Sequence, residues 1–537
     1  MSNAALLKTK HVVVVGAGVG GLVSALLLAH QGVRVTLVES QAAPGGKMRQ
    51  INVGGALVDS GPTVFTMRWV FEQIFAQVGC SLDDVVKLQP LDILCRHAWQ
   101  SGGQRLDLFT DVARSADAIA QFSSPDEAQR FRAFCKKAKD IYNHLESPYI
   151  RSSRPSLLGM GADLGPSGLA ALASLGPFAS LWQSLGHYFH DPRLRQLFGR
   201  YATYCGASPW AAPATLMLIA HVEIDGVWSV QGGMHALAMA VARQAETQGA
   251  ILRYATPCQR VLVKNGAACG VELAGGEQLL ADAVVFNGDA SALAQGLMGD
   301  AAEAAANLTR LEKRSLSAVT WSVNGPATGF PLVRHNVFFD DDYKLEFHEI
   351  FKQHKLPSRG TVYVCAQDRT DAPINPDTAN TVGNERLLCL VNAPAVGDMA
   401  GPQALTDSEI QACQEQSLNL LGQCGLSLDL SPDTATVVRT TPSEFNQLFP
   451  GTGGALYGRA SHGWIAPFQR PGSASKLPGL YLAGGSVHPG PGVPMAALSG
   501  QLAAATVMAH LASTKPLGRV RISGGMSMPS VTTASTR

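Results

Sequence analysis

Apolar residues in this chain fall into short runs that are repeatedly cut by glycine. Val12 to Val15 are four consecutive β-branched residues, the signature of a buried strand. Gly16-Ala17-Gly18-Val19-Gly20-Gly21 follows at once, and then a helix-compatible stretch from Leu22 to His30. Gly32 stops that helix, and Val33 to Val38 predicts a second strand that closes on Glu39. The pattern predicts a β–α–β unit of about thirty residues, the span expected of a dinucleotide fingerprint.

Two later blocks repeat the theme. Gln231-Gly232-Gly233-Met234 opens a predicted helix to Gln248, and Ile251 to Tyr254 reads as a strand. Gln259 to Lys264 and Ala268 to Leu273 flank the Asn265-Gly266 hairpin signal, a Gly275-Gly276 turn and Asp282 to Asn287 follow, and the whole reads as a small β-meander feeding back to the main sheet. Near the end, Gly479 to Leu482 predicts a strand that runs into Gly484-Gly485, a Pro- and Gly-rich loop, and an Ala-rich helix to about Ala512. Residues 75–225 and 300–465 lie between these blocks. Within them, Gly165 to Tyr188 carries no acid or base, and its Leu, Phe and Trp recur at helical spacing. It reads as a buried helix pair hinged at Pro177 or as an apolar patch that dips into a bilayer.

Composition narrows the class. The chain has 537 residues, a soft prior of about three to four domain-sized units. Net charge is +1, so no basic field draws nucleic acid or an anionic bilayer, and no nucleic-acid partner is expected. Charged residues are 15% and apolar ones 46%, against the ~25% charged residues usual in soluble domains, which favours a globular protein that handles something greasy. The ten cysteines show no CxxC and no framework, so they read as reduced and cytosolic, and no secretory signal is visible. His11 to His30 and Ala496 to Ala512 are apolar but dense in Gly and Ala, and neither is assigned as membrane-spanning. The tail 513–537 is expected to be disordered.

The first block carries the candidate chemistry. Gly16 makes the tight turn, Gly18 lets backbone approach a pyrophosphate, and Gly21 permits close helix packing, with the helix start offering N–H groups to phosphate. Glu39 would accept hydrogen bonds from ribose hydroxyls and repel a 2′-phosphate, which leaves NAD or the ADP half of FAD. Pro44-Gly45-Gly46-Lys47-Met48-Arg49 is a second glycine turn with cations, and Val58-Asp59-Ser60-Gly61-Pro62-Thr63 a third loop. Neither a P-loop, HExxH, GxSxG nor paired cysteine spacing is present, no metal ligand set is expected, and Asp340 to Asp342 reads as a solvated turn.

This arrangement resembles flavoproteins related to amine oxidases and carotenoid desaturases. The run AGGSVHPGPGVPMAALSG is similar to the closing motif of the carotenoid desaturase, or phytoene dehydrogenase, family, and Gly485 stands where many amine oxidases have an acid. HNVFFDDDY, TVYVCAQDR (Thr361 to Arg369) and VHPGPGVPMAALSG look most like the hydroxycarotenoid 3,4-desaturase branch, also called methoxyneurosporene dehydrogenases. Pro491 and Met495 depart from the phytoene desaturase pattern.

The resemblance implies an α/β fold with a discontinuous Rossmann-like FAD-binding domain (1–75, 228–300, 470–512) and an inserted α+β substrate- and membrane-docking domain (76–227, 301–469). It implies FAD as cofactor, held by Gly16, Gly18, Gly21, Glu39, Gly46, Lys47, Gly61, Val261, Gly484, Val487, Pro494 and Met495. Val261 would meet the adenine by that resemblance, although alternating valines need no ligand to explain them. His488 reads as a loop residue shaping the flavin pocket, or as a catalytic base. The substrate would be a long acyclic carotenoid, bearing a 1-hydroxyl or methoxyl, that gains a 3,4 C=C bond by hydride transfer to flavin. Reduced flavin would pass its electrons to oxygen or a quinone. The protein would be cytoplasmic and peripheral on the inner membrane. Rival expectations are a phytoene desaturase or carotenoid isomerase, an amine oxidase, and a non-catalytic isoprenoid-binding escort.

Overall fold

The computed structural model describes residues 9–101, 103–153, 179–369 and 383–513. The glycine-punctuated blocks converge on one sheet. Strands β1 (His11–Val15), β2 (Arg34–Val38), β3 (Ile251–Arg253), β4 (Ala283–Phe286) and β5 (Leu480–Leu482) lie in the order β5-β4-β1-β2-β3, every neighbouring pair parallel. A doubly wound sheet has its crevice where strand order reverses, here between the carboxyl ends of β1 and β4. Val12, Val13 and Val14 are wholly buried because helices cover one face of the sheet and a small meander the other, as a parallel sheet requires.

Three helices pack against this sheet: α1 (Val19–His30), α2 (Met234–Thr247) and α3 (Val493–Leu511). Glycine sets how closely α1 and α3 approach. A Cβ on Gly500 would lie 2.3 Å from the Gly20 carbonyl oxygen, and Ser24 Oγ donates to the carbonyls of Gly20 (2.8 Å) and Gly500 (3.0 Å). The meander is a separate antiparallel sheet of Cys258–Lys264, Ala267–Leu273 and Gln278–Leu280. Asn265 and Gly266 at its first turn both have positive φ, which a two-residue hairpin needs.

The intervening segments build a second sheet of eight strands that the sequence pattern does not announce. Its longest strand, Ser317–Thr328, pairs antiparallel with Asn384–Ala393 and Thr436–Thr440. Ile93–Trp99 joins it by a parallel pairing with His335–Phe339. A helical layer that includes Pro125–Leu145 and Leu218–Ile224 packs beside this sheet around Phe131, Phe134, Phe189 and Phe198.

The acidic run departs from the solvated-turn expectation at one residue: Asp341 and Asp342 are exposed as expected, but Asp340 is not. Asp340 is only 7% exposed: it pairs with Arg359 at 2.9 Å, and its carbonyl accepts from Gln196. Of the uncharged run Gly165 to Tyr188, only the end from residue 179 falls within the described residues. There Leu181–Tyr188 is a helix with a Ser180–Gln183 capping box. The predicted Pro177 hinge and the tail after residue 513 lie outside the described residues. Among the described residues no helix is long and apolar enough to cross a membrane.

Candidate active site

The crevice opens into a cavity of about 1340 Å³, above the ~300–1,000 Å³ that suits one drug-sized ligand. One end is the dinucleotide fingerprint. Gly16 turns with φ +99°, Gly18 caps α1 without a side-chain hydrogen bond, and the first-turn residues Val19 and Gly20 line the cavity. The amino terminus of α1 thus points its partial positive charge into the space. Glu39 ends β2 with its carboxylate on the same space, where it accepts from the backbone N–H of Ala17 (2.6 Å) and Gln41 (2.8 Å). These bonds orient it and leave acceptor capacity for a ribose.

The second and third glycine loops fold onto the first. Gly45 N–H donates to Ala17 O at 2.8 Å, and Gly46, at φ +58°, would bring a Cβ to 3.1 Å from Gly18 Cα. A Cβ on Gly61 would sit 1.8 Å from the Lys47 carbonyl oxygen, so the two loops meet only because this residue has none. Lys47 Nζ donates to Leu456 O at 2.6 Å, and burial pushes its ammonium below the usual lysine range. Asp59 caps α2 through the Met234 N–H, and burial raises its carboxyl.

The closing loop forms the other polar wall. Gly484 has φ +110°, and α3 starts at a Gly492 cap without a side-chain bond, so Val493, Pro494 and Met495 line the cavity beside a second helix amino terminus. The far wall is apolar, with Leu145, Ile150, Leu216, Ile219, Leu388 and Leu390. Two helix starts, a cation and a ribose-type carboxylate around a cradle that Cβ atoms would fill are the groups a flavin dinucleotide needs. Gly16, Gly18, Glu39, Gly46, Lys47, Gly61, Gly484, Pro494 and Met495 all line this one space and would hold FAD.

Four predicted residues do not line it. Gly21 lies behind the crevice, where a Cβ would be 2.1 Å from Gly16 O, which is the packing role its position suggests. Val261 is 3% exposed within the cluster of Val13, Val38 and Val271, because the strand turns that face inward; Pro257 and Cys258 of the same segment reach the cavity instead. Val487 is wholly buried in the same cluster. His488 is 2% exposed and donates from Nε2 to Tyr149 O (3.0 Å), while burial pushes its imidazole down to about 4. A neutral ring turned away from the cavity shapes the loop, and its neighbours Pro489 and Pro491 line the space.

Several contributors escaped the sequence reading. Asn287, one residue beyond β4, inserts its amide among the fingerprint glycines: Nδ2 donates to Gly16 O at 3.3 Å, and Cβ atoms on Gly18, Gly20 or Gly484 would come within 2.7–2.9 Å of its amide atoms. Its position at the end of the strand beside β1 was the available signal. Arg470, 8% exposed, ties the closing loop by donating to the carbonyls of Tyr457 (3.1 Å), Arg459 (2.7 Å) and Gly485 (3.3 Å). Arg200 and Tyr363 also face the cavity; no local motif marks Arg200, and Tyr363 lies within the run Thr361 to Arg369 without being singled out.

Known proteins resemble this chain over nearly its whole length. The family model for flavin containing amine oxidoreductases matches residues 19–508. A hydroxyneurosporene desaturase of Rubrivivax gelatinosus is 61% identical over 527 residues, covering 98% of each chain. A second hydroxyneurosporene desaturase, from Cereibacter sphaeroides, is 45% identical over 504 residues, 94% of this chain and 98% of its own. Among solved structures, putrescine oxidase bound to putrescine superposes with a TM-score of 0.57 at 16% identity, covering 93% of this chain and 99% of its own, a likeness of fold.

Proposed function

The chain belongs to the flavin-containing amine oxidoreductase family, and from that premise we propose that it is an FAD-dependent desaturase of acyclic hydroxy- or methoxycarotenoids in carotenoid biosynthesis. The observation that carries the reading is the near-full-length identity to hydroxyneurosporene desaturases, joined to a single cavity that runs from the dinucleotide crevice to an apolar wall. The bond formed is the 3,4 C=C bond, separated by one carbon, C2, from the carbon that bears the oxygen.

FAD bound in the cavity supplies the acceptor for the hydride that leaves the allylic carbon, while a proton leaves the neighbouring carbon. The chain's own residues hold and orient. Glu39 and the α1 start would hold the dinucleotide half, and the α3 start would lend positive potential to the ring system. The apolar wall of Leu216, Ile219, Leu388 and Leu390 keeps water from a polyene and aligns it. Bound FAD would be returned to its oxidised form by an acceptor of the oxygen or quinone class.

The substrate arrives from a membrane that the protein touches peripherally, on the cytoplasmic side. What supports this is the loop at Trp464 and Ile465, 39% and 43% exposed, whose Trp464, Pro467 and Phe468 line the cavity. Greasy exposed side chains at a cavity rim suit a bilayer interface.

The test is anaerobic incubation of the FAD-loaded protein with 1-hydroxyneurosporene in liposomes, following flavin bleaching and product mass. Bleaching with loss of two hydrogens is expected. Bleaching by phytoene alone would replace the hydroxylated substrate with a hydrocarbon, and a product of unchanged mass would make the enzyme an isomerase.

A further inference from the structure

We infer that Arg200, with Tyr204 and Tyr363, is the seat for the oxygen-bearing end of the substrate and sets which carbon–carbon bond is presented for desaturation. The inference rests on the substrate reading above. An isoprenoid chain repeats itself, and apolar contact is non-directional, so a greasy wall cannot fix the register of a polyene along its length. A hydrogen bond at one end can, because it is directional and counts from a single atom. A 1-hydroxyl lies only two carbon–carbon bonds from C3, so anchoring that oxygen anchors the reacting bond.

Arg200 follows the helix Pro192–Gly199 and opens a 3₁₀ turn through Cys205, which turns its side chain to the cavity. Its guanidinium lies over the rings of Tyr204 (5.6 Å) and Tyr363 (5.4 Å). Among the described residues nothing hydrogen-bonds to it and no carboxylate forms an ion pair with it. The two acids whose charge reaches it are already taken up, Glu223 by the hydroxyls of Tyr201 (2.6 Å) and Tyr204, and Glu346 by Thr361 and Asn392. Arginine cannot shed its proton to escape an apolar wall, so its planar fork of donors is left for a ligand that accepts.

The surroundings specify the ligand. Thr63 Oγ1 and His335 Nδ1 both bond the Tyr363 hydroxyl, at 2.6 and 2.7 Å, which locks the ring under Arg200. His335 is neutral, held well below its ordinary range by burial and by Arg334 and Arg200, and its Nε2 is buried without a partner. The walls around the guanidinium are apolar or already hydrogen-bonded, so the seat offers donors to a single acceptor in a greasy channel and suits an uncharged one: an alcohol or ether oxygen.

The experiment compares 1-hydroxyneurosporene with neurosporene on FAD-loaded, full-length protein in liposomes. Removing a hydrogen bond to a charged group is expected to lower the ratio of kcat/KM for hydroxylated over plain substrate by about 10- to 100-fold in Arg200→Gln. The flavin absorption spectrum should stay that of the parent, and Arg200→Lys should recover part of the ratio. Tyr363→Phe frees the ring from its two tethers and keeps the fold's apolar volume; it is read the same way if Arg200→Gln does not retain flavin, with a smaller fall in the ratio expected. A ratio unchanged in the variants, or equal loss on both substrates, overturns the inference while leaving the substrate reading in place. A parent enzyme with no preference for the hydroxylated substrate overturns both.

Discussion

Glu39 ties the fold together at the dinucleotide end of the cavity. Its two carboxylate oxygens accept from the N–H groups of Ala17 and Gln41, which pins the end of β2 to the turn after β1. Glu39→Gln keeps the volume but loses the charge and one acceptor, so its orienting bonds and its hold on a ribose both weaken. FAD affinity, read by fluorescence titration of the apoprotein, is expected to fall about 10- to 100-fold, since hydrogen bonds to charged groups contribute ~1.5–3 kcal/mol. Turnover at saturating FAD should persist, because the group sits at the dinucleotide end; an unchanged affinity would reduce Glu39 to a structural tie. Its place on the cavity was legible because it lies a fixed step beyond a glycine motif. Asn287 does comparable work among Gly16, Gly20 and Gly484, but nothing in its own neighbourhood marks it: its meaning comes from β4 lying beside β1 across about 270 residues of chain.

At the scale of elements, the α1–α3 crossing is the joint on which the two helix starts depend. The Gly20–Gly500 contact lets the backbones touch, so Gly500→Ala forces a Cβ against a backbone oxygen that cannot rotate away. Overpacking of this kind costs about 1–3 kcal/mol, and the shift reaches the amino terminus of α3 at the cavity. Urea unfolding and the flavin content of the purified protein should both fall. Gly422→Ala is the contrasting case: it is exposed within the helix Asp407–Gln423, and its Cβ would meet nothing. There the loss of backbone freedom in the unfolded chain is the main term, and about 0.5–1 kcal/mol of added stability is expected with flavin content unchanged. If both alanines behave alike, close packing is not what glycine provides at position 500.

Across the whole molecule, what could be read early was what is local: the strands and helices around glycine turns at 12–39, 231–287 and 479–512, whose spacing is a few residues. The eight-stranded sheet could not be read that way, because its register joins residues 93–109 to residues 317–440 and its strands carry no turn signature. Burial of histidine is likewise a property of the completed fold, and it governs acid stability. His97 is held down to about 3 and His488 to about 4, in both cases mainly by loss of water. An unfolded chain protonates such rings below about pH 6.5 while the native rings stay neutral, so the unfolded state binds more protons and stability falls as pH drops from about 6.5 toward 4. Above about 6.5 these rings add no slope. Buried acids with raised pKa, Glu223, Glu346 and Asp59, act in the opposite sense, so the histidine contribution is isolated by comparing the parent with His488→Gln. Each such ring contributes about 1.4 kcal/mol per pH unit. The stability advantage of the parent over His488→Gln, from urea unfolding of the holoenzyme, should therefore shrink by about 2–3 kcal/mol between pH 7 and pH 4.5. A constant difference would mean that His488 takes up its proton at an ordinary pH, and that the loop it shapes opens to water before the chain unfolds.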